Sequence, residues 1–470
     1  MIVIKKNRPP VASRWLNARP GRVIASSFLL VIITGTILLM MPFAAQNRQS
    51  VGLLQALFTA TSATCVTGLV TVDTATHWSI FGKIVIISLI QIGGLGLVTI
   101  TSFFYSFVRR KASLKTMVLT QESTASFGFA DVMRLVRKIV LITLSIEVTG
   151  GIILSAQYIP GEGWLNGLGK GFFQSISSFC NAGFDLTGDT ASGPFSSLVG
   201  LNHNPAIILT TALLIVIGGL GFVVWSDLIN LRKTRKLLFH SKVVLFVSGI
   251  LILSGTVFFL VTEYTNQSHP YALGSLPAAE RPLAALFQAI TPRTAGFNSI
   301  DQASMHETSK FMTIILMFIG AAPGSTGGGI KVSTFAIVVA TIIADLHGRD
   351  NIVLFRHRLP RETFTKAFAI IGMAMGLVLA CTMILSYIER DALDAGRFHF
   401  IDLLFESVSA FATVGLSSAG TPNLQQASWS VLIPVMYIGR VGPAAFAIGL
   451  TLKGMSHKEP IHPEGRLLVG

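Results

Sequence analysis

The stretch Phe58-Thr-Ala-Thr-Ser-Ala-Thr-Cys-Val-Thr-Gly68-Leu69 is a short, helix-like segment that ends in a glycine followed by an apolar residue. The same pattern recurs in Phe173-Gln-Ser-Ile-Ser-Ser-Phe-Cys-Asn-Ala-Gly183-Phe184, Phe287-Gln-Ala-Ile-Thr-Pro-Arg-Thr-Ala-Gly296-Phe297 and Phe405-Glu-Ser-Val-Ser-Ala-Phe-Ala-Thr-Val-Gly415-Leu416. The steps between successive glycines are 115, 113 and 119 residues. Spacing this even indicates a fourfold internal repeat.

Each of these segments lies between two long apolar runs. The runs before them cover residues 23–43, 136–158, 243–262 and 366–388, and the runs after them cover 79–106, 206–229, 311–343 and 429–452. A helix of about 20 apolar residues crosses the hydrocarbon core of a bilayer. The sequence therefore predicts an all-α polytopic membrane protein, with eight transmembrane helices and four re-entrant pore helices around one pseudo-fourfold pore. The repeats are predicted over residues 1–112, 113–237, 238–350 and 351–470.

Composition and charge agree with a lipid bilayer as the surroundings. Of the 470 residues, 51% are hydrophobic and only 12% are charged. The net charge of +14 could indicate a nucleic-acid partner, but most of the 36 Lys and Arg residues lie beside the apolar runs, in stretches 1–22, 107–138, 231–242, 346–366 and 453–470. Cytoplasmic loops carry such an excess. We therefore expect no nucleic acid, a multi-pass protein of the inner (plasma) membrane, and both termini in the cytoplasm.

Two features of the chain leave other classes of protein without support. The basic N-terminus and the apolar run after it could form a signal peptide, but the run is too long for a typical one. The three cysteines, Cys65, Cys180 and Cys381, have no CxxC spacing, so they indicate neither a disulfide framework nor a zinc site. An intramembrane enzyme would need a nucleophile with a base or a metal triad at membrane depth, and neither pattern is visible.

The pore segments are too short to cross a bilayer and too polar to face lipid, so they must be enclosed by protein or lie beside water. Four such helices would point their C-terminal ends at one axis, and each end carries about half a negative charge. Glycine can take a positive φ there, and backbone carbonyl groups can replace the water shell of a cation. A glycine after a short helix is otherwise a common C-cap. Four in register favour a selectivity filter that binds ions, made by Val66, Thr67, Gly68, Asn181, Ala182, Gly183, Thr294, Ala295, Gly296, Thr413, Val414 and Gly415.

Each pore segment also begins with a phenylalanine and a polar residue. We expect the phenylalanine to pack and the polar residue to brace the loop, at Thr59, Gln174, Gln288 and Glu406. Glu406 could instead act on ions directly. The third segment has one residue fewer before its glycine and contains Pro292 and Arg293, so its loop geometry is harder to predict.

A glycine-rich segment interrupts the second apolar run of the third repeat. Glycine costs about 1 kcal/mol and proline about 3 kcal/mol in a helix, so the segment should be irregular at membrane depth. We predict a gate made by Gly320, Gly324, Ser325, Thr326, Gly327, Gly328, Gly329 and Lys331; the alternative is a close-packing seam between helices. Arg440 lies within the last apolar run, where a buried charge is costly. We expect an electrostatic role for it at the pore, and the alternative is a structural pairing with backbone carbonyl groups or with Glu147.

These residues together resemble the Trk/Ktr/HKT superfamily of potassium transporters. The resemblance rests on the four glycines, the Gly-Gly-Leu-Gly run at 93–96, the segment 320–331 and Gly439-Arg440-Val-Gly442. It covers essentially the whole chain. The single crossing before Gly68 and the closing residues 463–470 are most similar to the KtrB-type membrane subunit. The resemblance implies potassium uptake, homodimeric membrane subunits and a separate cytosolic, nucleotide-binding regulatory ring of the KtrA type.

The expected cargo is therefore potassium bound at the filter, with sodium as a second ion on which uptake depends and no organic cofactor on this chain. The alternative is a sodium-permeable or unselective cation channel of the same fold. In the superfamily, a serine in place of the first filter glycine goes with sodium preference. Gly68 is a glycine, and this favours potassium.

Overall fold

The computed structural model describes residues 20–96, 129–349 and 351–442. The predictions for the N-terminal stretch before residue 20, for most of the basic loop at 107–138 and for the C-terminal residues 463–470 lie outside these ranges, and with them the side of the membrane on which the termini lie. Gly96 of the Gly-Gly-Leu-Gly run is the last residue described before the first gap.

The described chain is mostly helical, with one small β-hairpin. The helices are α1 (Pro20–Leu39), α2 (Leu53–Cys65), α3 (Thr74–His77), α4 (Ile80–Gly96), α5 (Phe129–Glu162), α6 (Trp164–Cys180), α7 (Pro205–Leu220), α8 (Phe222–Thr234), α9 (Phe239–Thr262), α10 (Arg281–Ile290), α11 (Glu307–Phe318), α12 (Val332–Leu346), α13 (Arg361–Ile388), α14 (Arg390–Asp394), α15 (Phe400–Ala412) and α16 (Gln426–Val441). The antiparallel strands β1 (Ile352–Leu354) and β2 (His357–Leu359) join α12 to α13.

Helices of membrane-spanning length occur where the first runs of the second, third and fourth repeats were predicted, while the first run of the first repeat contains the shorter apolar helix Ala25–Leu39. Among the described residues, three segments are long and apolar enough to cross a bilayer: Arg137–Glu162 within α5, Phe239–Thr262, and Glu362–Ile388 within α13. A fourth is added if α7 and α8, which bend by 98° at Gly221, count as one broken span. The sequence led us to expect one straight helix over the run at 206–229, and the bend shows that this expectation was wrong. The run at 311–343 is broken, since α11 ends at Phe318 and α12 begins at Val332.

The repeats share their cores. One buried apolar cluster joins Ile32 and Phe58 of the first repeat to residues of the third and fourth, and a second joins the first and second repeats to Phe287 and Phe297 of the third. The first pore helix, α2, packs against both α1 and α16, so the last repeat closes against the first. The phenylalanines that open the four pore segments are all buried, as predicted.

A second repeated sequence pattern explains how closely the outer helices α4, α7 and α16 approach the pore helices. An Ile-Gly pair occurs at 92–93, 217–218, 319–320 and 438–439. Gly93, Gly218 and Gly439 lie against the carbonyl groups of Thr64, Phe179 and Phe411, near the C-terminal ends of three pore helices. A Cβ atom at any of these glycines would overlap the carbonyl oxygen. The glycine therefore sets how closely each outer helix packs.

We expect Gly218→Ala to lower the stability of the folded protein. Overpacking of this kind costs about 1–3 kcal/mol, which exceeds the gain in helix propensity from alanine. Gly249 of α9 is a matched control, because a Cβ atom there would have no other atom within 4 Å. Thermal unfolding in detergent, followed by size exclusion, should show a lower midpoint for Gly218→Ala only. Equal midpoints for the two variants would contradict the packing argument.

Candidate functional site

The loops after the four pore helices share one backbone conformation. We call them the filter loops: residues 66–68, 181–183, 294–296 and 413–415. The first residue of each loop is in the left-handed region, with φ of 58° at Val66, 59° at Asn181, 69° at Thr294 and 51° at Thr413. The glycines that end the loops have φ of 93°, 70°, 81° and 96°. A left-handed residue other than glycine is uncommon, so four in equivalent positions mark one repeated backbone geometry, and the third loop shares it.

The filter loops meet in a closed ring. A Cβ atom built on Gly68 would lie 2.5 Å from the carbonyl oxygen of Ala182 in the second loop, and one built on Gly183 would lie 2.9 Å from that of Ala295 in the third. In the same way Gly296 meets Val414, and Gly415 meets Thr67 of the first loop. Each glycine therefore faces the middle carbonyl group of the next loop. The structure brings all twelve predicted filter residues together around one axis.

Serine and threonine hydroxyl groups hold the filter loops from behind. Ser62 and Ser409 accept hydrogen bonds of 3.1 Å from the backbone N–H of Gly68 and Gly415. In the third loop, which has one residue fewer, Thr291 donates to the carbonyl group of Phe297 at 2.7 Å instead. A serine six residues before the glycine in the first and fourth segments was the sequence signal for these braces. The second segment has Ser177 at the same position, but its hydroxyl group has no partner among the described residues.

The polar residues near the start of the pore segments do not all act alike. Gln288 exchanges two hydrogen bonds of 2.9 Å with Gln302, which follows the third filter loop. Glu406 accepts hydrogen bonds from Ser417 and Thr421, which follow the fourth. These two residues brace their loops in the way expected. Gln174 bonds within its own helix to Ser178, and the hydroxyl group of Thr59 has no partner among the described residues.

Arg293 anchors the third filter loop to a neighbouring helix. Its Nη2 donates to Ser248 Oγ on α9 at 2.7 Å. The third loop is therefore tied outward to α9. This bond adds to the one from Thr291 in a loop that lacks the serine brace.

A cavity of about 460 Å³ lies on one side of the filter ring. All four filter glycines line it, together with the carboxyl groups of Asp73, Asp185 and Asp301. Carboxylates in a recessed mouth raise the local concentration of cations. Partial burial raises the pKa of Asp185, against the opposing effect of the hydrogen bonds that Thr187 donates to it.

The glycine-rich segment lies on the other side of the ring. We call residues 319–331 the gate loop. Its ends are joined by hydrogen bonds, among them Gly320 N–H to the carbonyl group of Ile330 at 2.8 Å, and Gly329 packs against Gly320. Its middle is tied to the bend between α7 and α8, because Phe222 N–H donates to the carbonyl group of Gly324 at 3.1 Å. Ser325 closes a local turn by donating to Ala322.

The gate loop contacts the filter loops directly. The Thr326 hydroxyl group donates to the carbonyl group of Phe179, at the end of the second pore helix, at 3.1 Å. A Cβ atom on Gly327 would overlap the hydroxyl group of Thr294, and one on Gly328 would overlap that of Thr413. The backbone at 326–328 therefore crosses immediately beside the ring of filter loops, on the side opposite the acidic cavity.

Two basic side chains hold the gate loop by its carbonyl groups. Lys331 Nζ donates to Gly327 at 2.8 Å and to Gly328 at 3.2 Å. Arg440 Nη1 donates to Thr326, and its Nη2 donates to the carbonyl group of Gly93 at 2.7 Å. Arg440 therefore bonds to backbone carbonyl groups, which is one of the two structural pairings that the sequence left open. The other pairing was with Glu147. That carboxyl group instead accepts hydrogen bonds of 3.1 Å from Gln91 on a neighbouring helix.

Comparison with known proteins gives one consistent result. The sequence profile of the family described as TrkH, cation transport protein, matches residues 16–453. Among similar proteins, the Ktr system potassium uptake protein B of Bacillus subtilis is 38% identical, with 97% of this chain and 98% of that protein covered. The potassium/sodium uptake protein NtpJ of Enterococcus hirae is 35% identical over 96% of this chain and 97% of that protein.

A solved structure shares the fold. The crystal structure of the potassium transporter TrkH from Vibrio parahaemolyticus matches with a TM-score of 0.65 over 91% of this chain and 85% of that chain, at 17% sequence identity. At that identity the likeness concerns the fold alone.

The acidic cavity should make cation binding depend on pH. Because its pKa is raised, Asp185 takes up a proton at a higher pH than an ordinary aspartate, so acidification from neutral pH removes its negative charge first. We expect calorimetric titration of the purified protein with potassium to show weaker binding as the pH falls. Asp185→Asn should weaken binding at neutral pH and flatten this dependence. Asp391→Asn, at an exposed residue outside the cavity lining, is the control and should keep the wild-type pH profile.

Proposed function

The chain belongs to the TrkH family of cation transport proteins, and from that premise we propose that it takes up potassium through the ring of four filter loops. Its family is one of transporters rather than enzymes, and the chain is a multi-pass membrane protein. The single observation that carries the proposal is the closed ring, in which each glycine faces a carbonyl group of the next loop.

The ring suits a dehydrated monovalent cation for three physical reasons. Its backbone carbonyl oxygens can replace the water shell of an ion without a side chain in the way. The C-terminal ends of α2, α6, α10 and α15 add partial negative charge. The acidic cavity beside the ring concentrates cations before they enter it. The filter loops therefore offer neutral oxygen ligands and negative potential, and none of their twelve residues is an acidic one that would hold the ion too tightly to leave.

The gate loop is proposed to obstruct the pathway beyond the ring. Its backbone crosses beside Thr294 and Thr413, and Lys331 and Arg440 bring two positive charges to its carbonyl groups. A fixed positive charge beside the pathway opposes the passage of cations. Movement of the loop must break the hydrogen bonds that these two side chains donate. Lys331 and Arg440 therefore oppose the passage of cations and also hold the gate loop in place.

Sodium is relevant to both candidate functions of this chain. A relative is named as a potassium/sodium uptake protein, which favours a role for sodium beside potassium in this chain as well. The second candidate function is a sodium-permeable or unselective channel of the same fold. Growth of a potassium-uptake-deficient bacterial strain at low potassium, with and without sodium, tests the proposed function. Rescue that requires sodium supports coupled uptake, rescue without sodium supports potassium transport alone, and failure in both media excludes potassium uptake.

A partner at the cytoplasmic side is part of the proposal. The relatives named as Ktr system proteins point to a multi-subunit system, and we propose that a nucleotide-binding ring regulates a homodimer of this chain. Purification from native membranes should yield two copies of the chain together with a soluble nucleotide-binding protein. Repeated isolation of the chain alone and monomeric would contradict both parts.

The filter glycines should control selectivity. Gly68→Ser would overlap the carbonyl group of Ala182 and force the backbone away from a positive φ, at a cost of about 1–2 kcal/mol for the backbone alone. A loss of about 1.4 kcal/mol in potassium preference is tenfold, and we expect a change of that order in sodium-versus-potassium competition in vesicles. Serine at Gly183, Gly296 and Gly415 should act in the same direction with different magnitudes.

Gly163→Ser is a matched control for the backbone cost. Gly163 has a similar φ of 81°, but a Cβ atom there would have no other atom within 4 Å. We expect this variant to keep the full preference for potassium. If all four filter variants also keep it, these loops do not select the ion.

Releasing the gate loop should raise the flux of cations. We expect Arg440→Ala, and separately a shortened segment 320–329, to increase potassium flux in vesicles without changing the preference over sodium, because the filter ring is left in place. Flux is compared at equal amounts of protein that elutes normally from size exclusion. Unchanged or lower flux in both variants would favour the packing seam for this segment and a purely structural role for Arg440.

A further inference from the structure

One buried carboxyl group at membrane depth has no part in the filter ring or the gate loop. Glu147 lies in the middle of the membrane-spanning segment Arg137–Glu162, and only 3% of its surface is exposed. It forms no ion pair with any residue that the structure describes. A charged side chain is costly at this depth, so an ionisable residue there calls for a functional explanation.

The Glu147 carboxyl group meets side chains from two other helices. Gln91 Nε2 on α4 donates to both carboxyl oxygens at 3.1 Å. Cys180 Sγ at the end of α6 donates to the other end of the same amide, Gln91 Oε1, at 3.6 Å, and lies 3.9 Å from Glu147 Oε1. We call these three side chains the Glu147 cluster. The amide stands between the carboxyl group and the thiol and bonds to both.

The Glu147 cluster lies at the base of the second filter loop. Cys180 is the last residue of the pore helix and directly precedes Asn181, which opens that loop. The same pore helix is bonded to α5 at the same residue, because Ser175 donates to the backbone carbonyl group of Glu147 at 2.7 Å. A Cβ atom on Gly94 would lie 2.7 Å from Cys180 Sγ, so the thiol is closely enclosed. A change at Glu147 therefore reaches the start of the filter loop within two contacts.

Few charged groups on the surrounding described helices approach the cluster. On α4, Lys83 lies eight residues before Gln91, or about 12 Å along the axis. On α6, Lys170 is ion-paired at the outer end of the helix, and α7 carries no titratable side chain. Arg440 of α16 comes nearer, since it bonds to the carbonyl group of Gly93 beside the cluster, but its hydrogen bonds go to backbone carbonyl groups. None of these groups neutralises the carboxylate by pairing with it.

The two charge states of the carboxyl group need different hydrogen bonds. An ionised carboxylate only accepts, and the two bonds from Gln91 Nε2 satisfy it. A protonated carboxyl group has an O–H that needs an acceptor, and the Gln91 amide supplies one when it rotates to bring Oε1 towards Glu147. The same rotation turns Nε2 towards Cys180. The thiol then loses the acceptor that it has in the present arrangement.

We propose that Glu147 is a proton-binding site, and that the Gln91 amide transmits its state to Cys180 at the base of the second filter loop. The carboxylate takes its proton from water and returns it to water, and no other bond is made or broken. Release of the proton leaves a negative charge behind the filter ring, which attracts cations, and binding of the proton removes that charge. Potassium uptake as proposed above does not require such a site, so this inference goes beyond it.

Infrared difference spectroscopy tests whether Glu147 binds a proton, because a neutral carboxyl group and a carboxylate absorb at different frequencies. The full chain in vesicles is taken from alkaline to mildly acidic pH. We expect a neutral carboxyl band to appear in the wild type and to be missing in Glu147→Gln. Glu389→Gln is the matched control and should keep the band, since Glu389 is also a buried, hydrogen-bonded glutamate but lies at the end of α13. Identical spectra for Glu147→Gln and the wild type would overturn the proton site.

The S–H vibration of Cys180 tests the transmission through the amide. It absorbs where few other groups do, and Cys180→Ala identifies its band. We expect this band to shift with the same pH midpoint as the carboxyl band in the wild type, and to stay fixed in Glu147→Gln. If Glu147→Gln does not elute normally from size exclusion, Gln91→Leu replaces it: without the amide, the carboxyl band should persist to more alkaline pH and the thiol shift should vanish. A thiol band that ignores pH, or that shifts equally in the variants, contradicts the transmission.

Potassium flux in vesicles connects the site with transport. Glu147→Gln carries the charge of the protonated form at every pH, so its flux should be several-fold lower than that of the wild type at alkaline pH. The ratio of the two fluxes should approach one as the pH falls. Asp185 is present in both chains, so its own titration cancels in the ratio. A ratio that does not change with pH contradicts a role of this proton in transport. Absence of flux in the wild type at every pH would defeat the proposed function, while the infrared experiments still decide the proton site.

Discussion

The contact between each filter glycine and a carbonyl oxygen of the next loop is the one on which the rest of the structure depends. Four backbones converge closely enough to enclose the proposed ion path only where no Cβ atom stands between them. Convergence in turn requires four buried pore helices that end at the same depth. Those helices are too polar for lipid, so the outer helices must surround them. The close packing of Gly93, Gly218 and Gly439 on the pore-helix ends follows from the same requirement.

The two sides of the ring differ in how closely they follow the fourfold repeat. Facing the acidic cavity, the four repeats act alike, with one glycine from each at the same place. Facing the gate loop, they differ: Val66 is apolar, Asn181 is an amide, and Thr294 and Thr413 carry hydroxyl groups. A single gate loop from the third repeat meets quadrants with three kinds of side chain, so the inner face cannot be symmetric. In the proposed function, selectivity rests on the repeated part and control of flux on the part that is not repeated.

Buried positive charge is the costly element of this arrangement. Arg440 and Lys331 are not paired with carboxylates among the described residues; they bond to backbone carbonyl groups of the gate loop and of α4. Breaking the helix at 319–331 frees the carbonyl groups of the gate loop, and the two side chains supply the donors that the lost helical hydrogen bonds would have provided. The irregular backbone and the buried charges therefore stabilise each other, which explains why both occur at membrane depth.

The sequence by itself determined the features that depend on local chemistry. The positions of the filter glycines, the pore segments and the irregular stretch at 320–331 follow from hydrophobic runs and from the conformational preferences of glycine and proline, which act over a few residues. The bend at Gly221, the serine braces at Ser62 and Ser409 and the Ile-Gly pairs also left signals in the chain, but their meaning depended on which helix they meet. Only the tertiary structure decided that Arg440 bonds to Thr326 and Gly93 rather than to Glu147, and that Gly327 and Gly328 cover Thr294 and Thr413. Those partners come from different repeats, and their meeting depends on how whole helices pack around the axis, a property that no local pattern encodes.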